Sequence, residues 1–344
     1  MPIVPIDSLR RVTASIFSQT GAPADLADEV AEVLIDNHLA GHDSHGILRI
    51  PQYLEAIRVG ALVPAARPSV LRETGSIALV SGNRGFGQVG ANFAADVVTQ
   101  KARQEGVAAV SLVQVGHTGR LAAFTERAAR RGVAMFMSVG TVGKPRTAPY
   151  GGTAPVFGTN PVAFSMPNAD GPPITMDYAT SAIAAGKISV ARAKGEQLPE
   201  NAVLTREGLP TTDPEEFVRG GFLLPFGGHK GYALAVIAEI MSGALTGADE
   251  YSDESPATGA FMFGVSSTAF RSGAGYQHAV AGIVERVGKV PPAEGFDKVL
   301  LPGEPEAQSR AVREREGVPV PDRTWEETLA IAADLGVPTD DLLL

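Results

Sequence analysis

The chain has 344 residues, of which 44% are hydrophobic and 19% charged, enough for a sizeable core built from two or three structural units. The formal net charge is −9 and no basic stripe is visible, which argues against a nucleic-acid partner because a phosphate backbone is bound by clustered Lys and Arg. The absence of cysteine excludes disulfides, thiolate nucleophiles and thiolate metal sites, and is consistent with a reducing, cytoplasmic compartment.

No segment of the sequence is typical of export or of a membrane span. The N-terminus has neither the basic nor the apolar region of a secretory signal. The longest apolar segment, 232–245, contains Glu239 and is too short to cross a bilayer. We therefore predict that it forms a buried helix and that the protein has no membrane partner.

The first 72 residues are predicted to be mainly helical. Apolar residues recur at helical spacing over 8–20 and 23–40, and a third helix is expected at 50–59, before Gly60. Pro64 and Pro68 then indicate a linker at 61–72.

From Gly75 onward the pattern changes to short apolar runs that alternate with helices, which is typical of an α/β unit. Residues 186–225 are polar and rich in turns, and we interpret them as a surface excursion or a lid. The remaining predictions are strands at 77–81, 108–113, 134–139, 162–166 and 174–177, helices at 91–105, 121–131, 231–245, 275–288 and 324–335, and a loop at 246–258.

Residues 85–90, GFGQVG, match the GxGxxG fingerprint of dinucleotide-binding turns and precede a predicted helix. The acidic residue that such a site needs is poorly placed, because Glu105 comes near the end of that helix rather than after a second strand. We interpret the motif as a glycine-rich turn before a packed helix.

The segment 41–53, GHDSHGILRIPQY, has the densest set of polar side chains. His45, Arg49 and Tyr53 are spaced by four residues, so a helical continuation would place them on one face. This set suits an anionic carbonyl substrate, because Arg49 can bind a carboxylate through two N–H groups while His45 or Tyr53 donates a proton. The structural alternative is a solvated helix start with an ordinary surface arginine.

Two glycine-flanked loops carry further candidates. His117, in VGHTG at 115–119, follows a predicted strand and is well placed for general acid–base chemistry, or simply caps the next helix. Lys230, in PFGGHKGY at 225–232, precedes the apolar helix, where its ammonium and the helix start would favour a phosphate. A plain turn into a core helix is the alternative for this second loop.

Two weaker patches contain polar side chains in turns. Residues 150–152 and 157–161 are rich in glycine and backbone turns. Asp177 closes a predicted strand in DYATS at 177–181, where its carboxylate could accept hydrogen bonds from ribose hydroxyls. For each patch alone, an ordinary loop is the simpler interpretation.

Taken together, these segments resemble the malate/L-lactate dehydrogenase family, whose members lack the conventional Rossmann domain. That family includes ureidoglycolate dehydrogenase, L-sulfolactate dehydrogenase, diketogulonate reductase and piperideine-2-carboxylate reductase. The resemblance covers nearly the whole chain in order. It rests on GHDSHGILRIPQY at 41–53, GHTG at 116–119, APYGG with FGTNP at 148–161, DYATS at 177–181, GLPTTDP at 208–214 and GGHKGYALA at 227–235.

The resemblance implies an α/β fold that binds NAD or NADP without a Rossmann domain, and a homodimer. Its central sheet would be largely antiparallel. The protein would have a helical dimerisation and substrate domain built from the N- and C-terminal segments, 1–66 with 306–344. A cofactor-binding α/β domain would comprise 67–185 with 226–305, and 186–225 would form the small excursion.

The resemblance also assigns roles to residues. Ser44, His45, Arg49 and His117 would surround the substrate. Members differ over which histidine transfers the proton, and we favour His117, with His45 as the alternative. The cofactor would contact Thr141, Asp177, Tyr178, Ala179, His229, Lys230, Gly303, Glu304 and Pro305.

One loop departs from the family pattern. TVGKPRT at 141–147 is longer and more basic than expected, so Lys144 or Arg146 could bind a second acidic group of the substrate beside Arg49 and Tyr53. Substrate identity is therefore not transferred from any named relative.

The predicted function is NAD(P)-dependent hydride transfer between nicotinamide and a small 2-oxo or 2-hydroxy acid. One alternative is NAD(P)H-dependent reduction of a cyclic imino acid. Another is a metal-dependent hydrolase or lyase that uses His42, Asp43, His45 and His117, although the resemblance implies a metal-free site. A third alternative is a non-catalytic nucleotide-binding or scaffold protein.

Overall fold

The computed structural model describes residues 1–141, 145–251 and 259–339. Within these residues the helices are α1 Ile6–Gln19, α2 Ala24–Leu39, α3 Ile50–Arg58, α4 Gly87–Glu105, α5 Ala122–Ala129, α6 Ala185–Lys194, α7 Pro214–Val218, α8 His229–Glu239, α9 Gly273–Gly288, α10 Glu304–Glu316 and α11 Asp322–Asp334. The strands are β1 Ile3–Val4, β2 Ser69–Glu73, β3 Ile77–Ser81, β4 Val107–Val113, β5 Val133–Val139, β6 Val162–Met166, β7 Ile174–Tyr178, β8 Val203–Leu204, β9 Pro210–Thr211, β10 Phe222–Leu223, β11 Ala260–Ser266 and β12 Val318–Pro319.

A seven-stranded sheet in the order β2-β3-β4-β11-β5-β6-β7 lies at the centre of the described chain. Neighbouring strands are antiparallel except for β3 and β4, which are parallel and joined through α4. Helices α4 and α5 bury one face of the sheet, where Val98 and Phe124 pack among residues such as Val110 and Met135. The predicted α/β fold with a largely antiparallel sheet is confirmed.

A second core joins the two ends of the chain. The short strands β1 and β12 pair, and α1, α2 and α3 pack with α11. Phe17, Leu34 and Trp325 are buried in this core, and Phe17 contacts Phe86 with ring centroids 5.3 Å apart. The contact with Phe86 connects the helical core to the segment that precedes α4.

The polar segment predicted as a surface excursion forms a small unit with its own apolar core. Its strands β8, β9 and β10 pair in an antiparallel sheet, and α6 and α7 pack together beside it. Ile188 and Leu198 are buried there. At the start of α6, a Cβ added to Gly186 would lie 2.8 Å from Ser44 Cβ, so this unit lies directly against the 41–53 segment.

Several sequence-based expectations are corrected. The predicted linker at 61–72 contains most of β2, which pairs with β3 as an edge strand. Strand β11 was not predicted, yet it lies between β4 and β5, and α10 was not predicted because its sequence is almost entirely polar and charged. Part of the predicted loop at 246–258 lies outside the described residues.

The apolar segment predicted as a buried helix is only partly buried. Helix α8 continues into a π-helical turn at Ile240–Ala244, and Ile237 and Ile240 are each 51% exposed in the single chain, with Leu245 at 63%. An apolar sequence around the whole helix therefore does not correspond to burial on all sides here. None of the described helices combines the length and the hydropathy that a membrane span requires.

Candidate active site

The 41–53 segment is not one continuous helix. Two short 3₁₀ turns, Asp43–His45 and Ile47–Arg49, are separated by Gly46 and lead into α3. The buried His38 ring sets this shape, because its Nε2 accepts from the Ile47 N–H at 3.0 Å and a Cβ at Gly46 would overlap the ring. Nδ1 of His38 must then carry the hydrogen, and it donates to Asp43 Oδ1 at 2.7 Å.

Although the predicted helix is interrupted, His45, Arg49 and Tyr53 still come together with His117. The rings of His45 and His117 are stacked, with centroids 5.8 Å apart and planes at 10°. Tyr53 Oη is 2.7 Å from His117 Nδ1, and Ser44 Oγ is 3.0 Å from His45 Nδ1. Among the described residues neither histidine Nε2 has a partner, so both remain available to a substrate.

Arg49 is held by its own loop. It donates from Nε to the Ser44 carbonyl at 2.7 Å and from Nη1 to Gln52 Oε1 at 3.0 Å. A guanidinium has five N–H groups, so donors on both Nη atoms remain for a carboxylate. The residue is therefore fixed in place before any substrate binds.

The electrostatics of the site favour neutral histidines. Burial and, to a smaller extent, the nearby Arg49 charge together lower the pKa of His45 to about 4 and that of His117 to about 3. Burial also raises the pKa of Tyr53 well above its usual range, so its hydroxyl keeps its proton. At neutral pH both imidazoles are therefore uncharged.

Helix α10 is tied to the 41–53 segment by charged contacts. Arg313 donates from Nη1 to Asp43 Oδ1 at 2.5 Å and from Nη2 to Oδ2 at 3.2 Å. His42 Nε2 lies 3.4 Å from Glu306 Oε1 in the first turn of the same helix. These contacts give Asp43 a structural role. The described residues contain no group of three or more His, Asp or Glu that could hold a metal ion.

Thr141, a predicted cofactor contact, is buried beside α8. Its backbone N–H and its hydroxyl donate to Glu239 Oε2 at 2.9 and 2.7 Å, and the same oxygen accepts from Asn160 Nδ2 at 2.7 Å. The Gly158 N–H donates to the Thr141 hydroxyl at 2.8 Å. Glu239 thus connects the loop that begins at Thr141 to the 157–161 loop. The sequence analysis noted this residue only as a charge within an apolar segment.

Asp177, predicted to contact ribose, lies at the end of β7 next to the start of α5. Its Oδ2 accepts from the Ala122 N–H at 2.7 Å. Burial raises its pKa to about 6, although this hydrogen bond and the nearby Arg120 charge act in the opposite direction. The carboxylate therefore connects the predicted cofactor segment at 177–179 to the start of α5, which follows the loop that carries His117.

The other predicted cofactor residues lie at the two ends of β7 and at the start of α10. Tyr178 is exposed and its ring meets Phe226 edge-on at 5.4 Å, and Ala179 precedes Thr180, whose carbonyl accepts from the Phe226 N–H at 3.0 Å. Gly303 has a φ of +90° and begins α10, with Pro305 in the first turn, and Glu304 accepts from the Leu301 N–H at 2.7 Å.

The 225–232 loop suits a phosphate-bearing cofactor. His229 and Lys230 are exposed in the first turn of α8, and Lys230 has no ion-pair partner among the residues that the structure describes. An ammonium and a helix start favour anionic groups. The exposed Tyr178 ring nearby offers an aromatic surface, so the residues present fit a nicotinamide dinucleotide.

The basic 141–147 loop is only partly described. Lys144 lies outside the described residues. Arg146 is exposed, lies 5.9 Å from the centroid of the Phe217 ring, and its charge contributes to lowering the pKa of Arg49. The positive charge of Arg146 therefore acts on the Arg49 guanidinium.

Comparison with known proteins gives the same family as the resemblance found in the sequence. Residues 4–328 match the model of the family described as malate/L-lactate dehydrogenase. The chain belongs to the malate/L-lactate dehydrogenase family. It is 34% identical to the L-lactate dehydrogenase of Cupriavidus necator, over 98% of this chain and 99% of that protein. It is 32% identical to the Δ1-pyrroline-2-carboxylate/Δ1-piperideine-2-carboxylate reductase of Pseudomonas putida, over 92% and 93%.

A solved structure shares the whole fold. The sulfolactate dehydrogenase of Methanocaldococcus jannaschii superposes with a TM-score of 0.89 at 29% identity, over 99% of both chains. The family and the dehydrogenase class predicted from sequence are thereby confirmed, and membership in a dehydrogenase family implies a nicotinamide cofactor. Sequence reasoning did not identify three residues that shape the site, namely His38, Gln88 and Glu239.

Proposed function

We propose that the protein interconverts a small 2-hydroxy acid and its 2-oxo acid with Arg49 binding the carboxylate and His117 transferring the proton. The observation that carries this proposal is the placement of Arg49 beside the stacked His45 and His117 rings. A carboxylate on Arg49 would direct the adjacent C2 oxygen of the substrate toward the imidazoles. A bound nicotinamide supplies the hydride acceptor or donor.

The proton step follows from the charge states. A neutral His117 accepts the hydroxyl proton through Nε2 as the 2-hydroxy acid is oxidised, and the imidazolium returns it to the oxygen in reduction. A substrate carboxylate on Arg49 offsets the charge that lowers the pKa of His117, so substrate binding favours the protonated form. His45, whose Nδ1 is held by Ser44, is the alternative acid–base residue.

We further propose that the preferred substrate carries a second acidic group. The support is Arg146, because its guanidinium lies close enough to Arg49 to lower the pKa of that residue. Two positive charges that repel one another are stabilised by a substrate with two negative charges. Arg146→Gln is expected to raise KM for a dicarboxylic 2-oxo acid about tenfold and to leave KM for a monocarboxylic one nearly unchanged.

The cofactor would be held by the exposed face around 177–179 and α8, with Lys230 on a phosphate. Gly303, Glu304 and Pro305 would border this site from the start of α10. Lys230→Gln is therefore expected to raise KM for the cofactor without changing KM for the acid. Wild-type activity with NADH and NADPH in parallel assigns the preferred cofactor.

The central experiment is loss of reduced-nicotinamide absorbance with a panel of 2-oxo acids and Δ1-piperideine-2-carboxylate. The panel separates the hydroxy acid dehydrogenase from the imino acid reductase. His117→Ala is expected to abolish turnover while cofactor fluorescence still reports binding, and His278→Ala, an exposed histidine on α9, is the control. A near-normal kcat for His117→Ala transfers the role to His45.

We also propose that 1–66 with 306–344 forms the dimerisation and substrate domain, that 67–185 with 226–305 binds the cofactor, and that the protein is a cytoplasmic homodimer. Two apolar cores support the division, since Phe86 and Val89 are the buried residues of 67–185 in the helical core and Val33 is the buried residue of 1–66 in the sheet core. In such a dimer the contacts would extend beyond the dimerisation and substrate domain into the cofactor-binding part, where a second copy would cover the exposed apolar residues of α8 and its π-helical turn. Light scattering should give a molar mass of twice the 35.7 kDa chain mass, and Ile240→Glu should shift that mass toward the mass of a single chain.

A further inference from the structure

The glycine motif at 85–90 lies against the loop that carries His117. A Cβ at Gly87 would lie 2.7 Å from the Gly116 carbonyl oxygen and closer still to that of His117. Only glycine allows the start of α4 to approach this backbone so closely. The motif therefore supports the proton-transferring loop.

The next residue of the motif reaches the same histidine through its side chain. Gln88 is fully buried, and its Nε2 donates to Tyr53 Oη at 2.6 Å. Tyr53 Oη is in turn 2.7 Å from His117 Nδ1. The Oε1 atom of Gln88 is buried and has no hydrogen-bond partner among the described residues, which is unusual for an amide oxygen in a protein interior.

We propose that Gln88 is a positioning residue for proton transfer, acting on His117 through the Tyr53 hydroxyl. This inference rests on the proposed role of His117. With the amide as observed, Nε2 of Gln88 donates to Tyr53, so the phenol hydrogen points to an unprotonated Nδ1 of His117. The hydrogen of the neutral imidazole is then on Nε2.

Turnover requires the other arrangement. To accept a proton from a hydroxy acid through Nε2, the neutral His117 must carry its hydrogen on Nδ1 and donate it to Tyr53 Oη. The Tyr53 hydroxyl then needs a different acceptor. A 180° turn of the Gln88 amide brings Oε1 to that position, so one side chain can serve both states of His117.

The surroundings of His117 leave this role to Gln88. Within the part of the chain that the structure describes, the charged and titratable groups that face its ring are Arg49 from the second 3₁₀ turn, His45 from the first, and Tyr53 from α3. Arg49 and His45 both lower the pKa of His117. If the Tyr53 hydroxyl donates to an acceptor behind it, its oxygen can accept from the protonated Nδ1 of His117. Such an acceptor therefore stabilises the imidazolium and counteracts the lowering of its pKa by Arg49 and His45.

The test compares Gln88→Met, which has a similar volume but no hydrogen-bonding end, with Gln88→Glu, which keeps an acceptor. We expect Gln88→Met to lower kcat about ten- to a hundredfold with little change in KM for the acid, because a buried hydroxyl is left without an acceptor. The pH at which 2-oxo acid reduction declines should move down by about one unit, since the imidazolium is less stable. Gln88→Glu should keep this pH at or above the wild-type value.

Thr99→Val, a buried polar-to-apolar change elsewhere on α4, is the control and should leave the pH profile in place. A readout that does not depend on turnover is the ¹⁵N NMR shift of the His117 side chain at pH 8, identified by its absence from His117→Ala. The wild type should show the Nε2–H form, and Gln88→Glu should shift it toward the Nδ1–H form.

An unmoved pH profile in Gln88→Met, or equal losses in Gln88→Met and Gln88→Glu, overturns the inference and leaves Gln88 a purely structural residue. Normal turnover by His117→Ala is a different failure, since it removes the proposed function of His117 itself. If the wild type turns over no acid, the NMR comparison still decides whether Gln88 controls the His117 tautomer.

Discussion

Asp43 connects the predicted catalytic segment to α10, and replacing it with Asn tests how much this contact stabilises the protein. Its carboxylate accepts from His38 Nδ1 at 2.7 Å and from both Nη atoms of Arg313 at 2.5 and 3.2 Å. Asn keeps the shape but removes the charge, and its NH₂ end would face one of these donors. We expect Asp43→Asn to destabilise the helical core and to weaken activity.

The magnitude follows from the pKa. Hydrogen bonds from His38 and Arg313, together with the Arg313 charge, outweigh burial and lower the pKa of Asp43 from 3.8 to about 2. That difference corresponds to about 2.5 kcal/mol in the free energy of unfolding. The Asp43 side chain is 38% exposed, so solvent screening reduces the expected loss to about 1 kcal/mol.

The pKa of Asp43 also determines how its contribution to stability changes with pH. Because the folded pKa lies below the unfolded value, the contribution is fully present above about pH 4 and is lost as pH falls toward 2. The difference in stability between wild type and Asp43→Asn should therefore narrow over that range.

The assay is urea unfolding followed by the fluorescence of Trp325, the single tryptophan, which is buried in the same helical core as His38. Asp25→Asn is the matched control, because Asp25 also forms a two-fold contact with an arginine, Arg67, but on the open surface. Equal unfolding midpoints for the two variants would refute the reasoning.

Three further predictions follow from the site. Burial lowers the pKa values of His45 and His117, so below about pH 6.5 the unfolded chain binds protons that the folded chain does not. The free energy of unfolding should therefore fall as the pH is lowered from about 6.5 to 5. The urea midpoint should fall less over this range in His117→Gln than in the wild type. Glu239→Gln weakens three hydrogen bonds to one carboxylate oxygen, so it should cost about 2 kcal/mol in urea unfolding and raise KM for the cofactor. Gly87→Ala should lower both Tm and kcat, whereas Gly282→Ala, with open space around its added Cβ, should not.

The sequence by itself determined the class of the protein and marked the residues of its candidate site. Ordered motifs identified the family, and the polar clusters at 41–53 and 115–119 marked His45, Arg49, Tyr53 and His117, which the structure brings together. Apolar runs also located β3 and β6 to the residue. These features are readable because hydrophobic period and residue chemistry are local properties of a chain.

Only the tertiary structure decided what supports that site. The role of Gln88 depends on α4 packing against the 116–117 backbone, and that of Glu239 on α8 lying beside Thr141. Strand β11 was missed although it lies between β4 and β5 in the sheet, because its place depends on partners distant in sequence. Hydrogen bonds between segments 35 to 98 residues apart leave no local pattern, so packing alone specifies them.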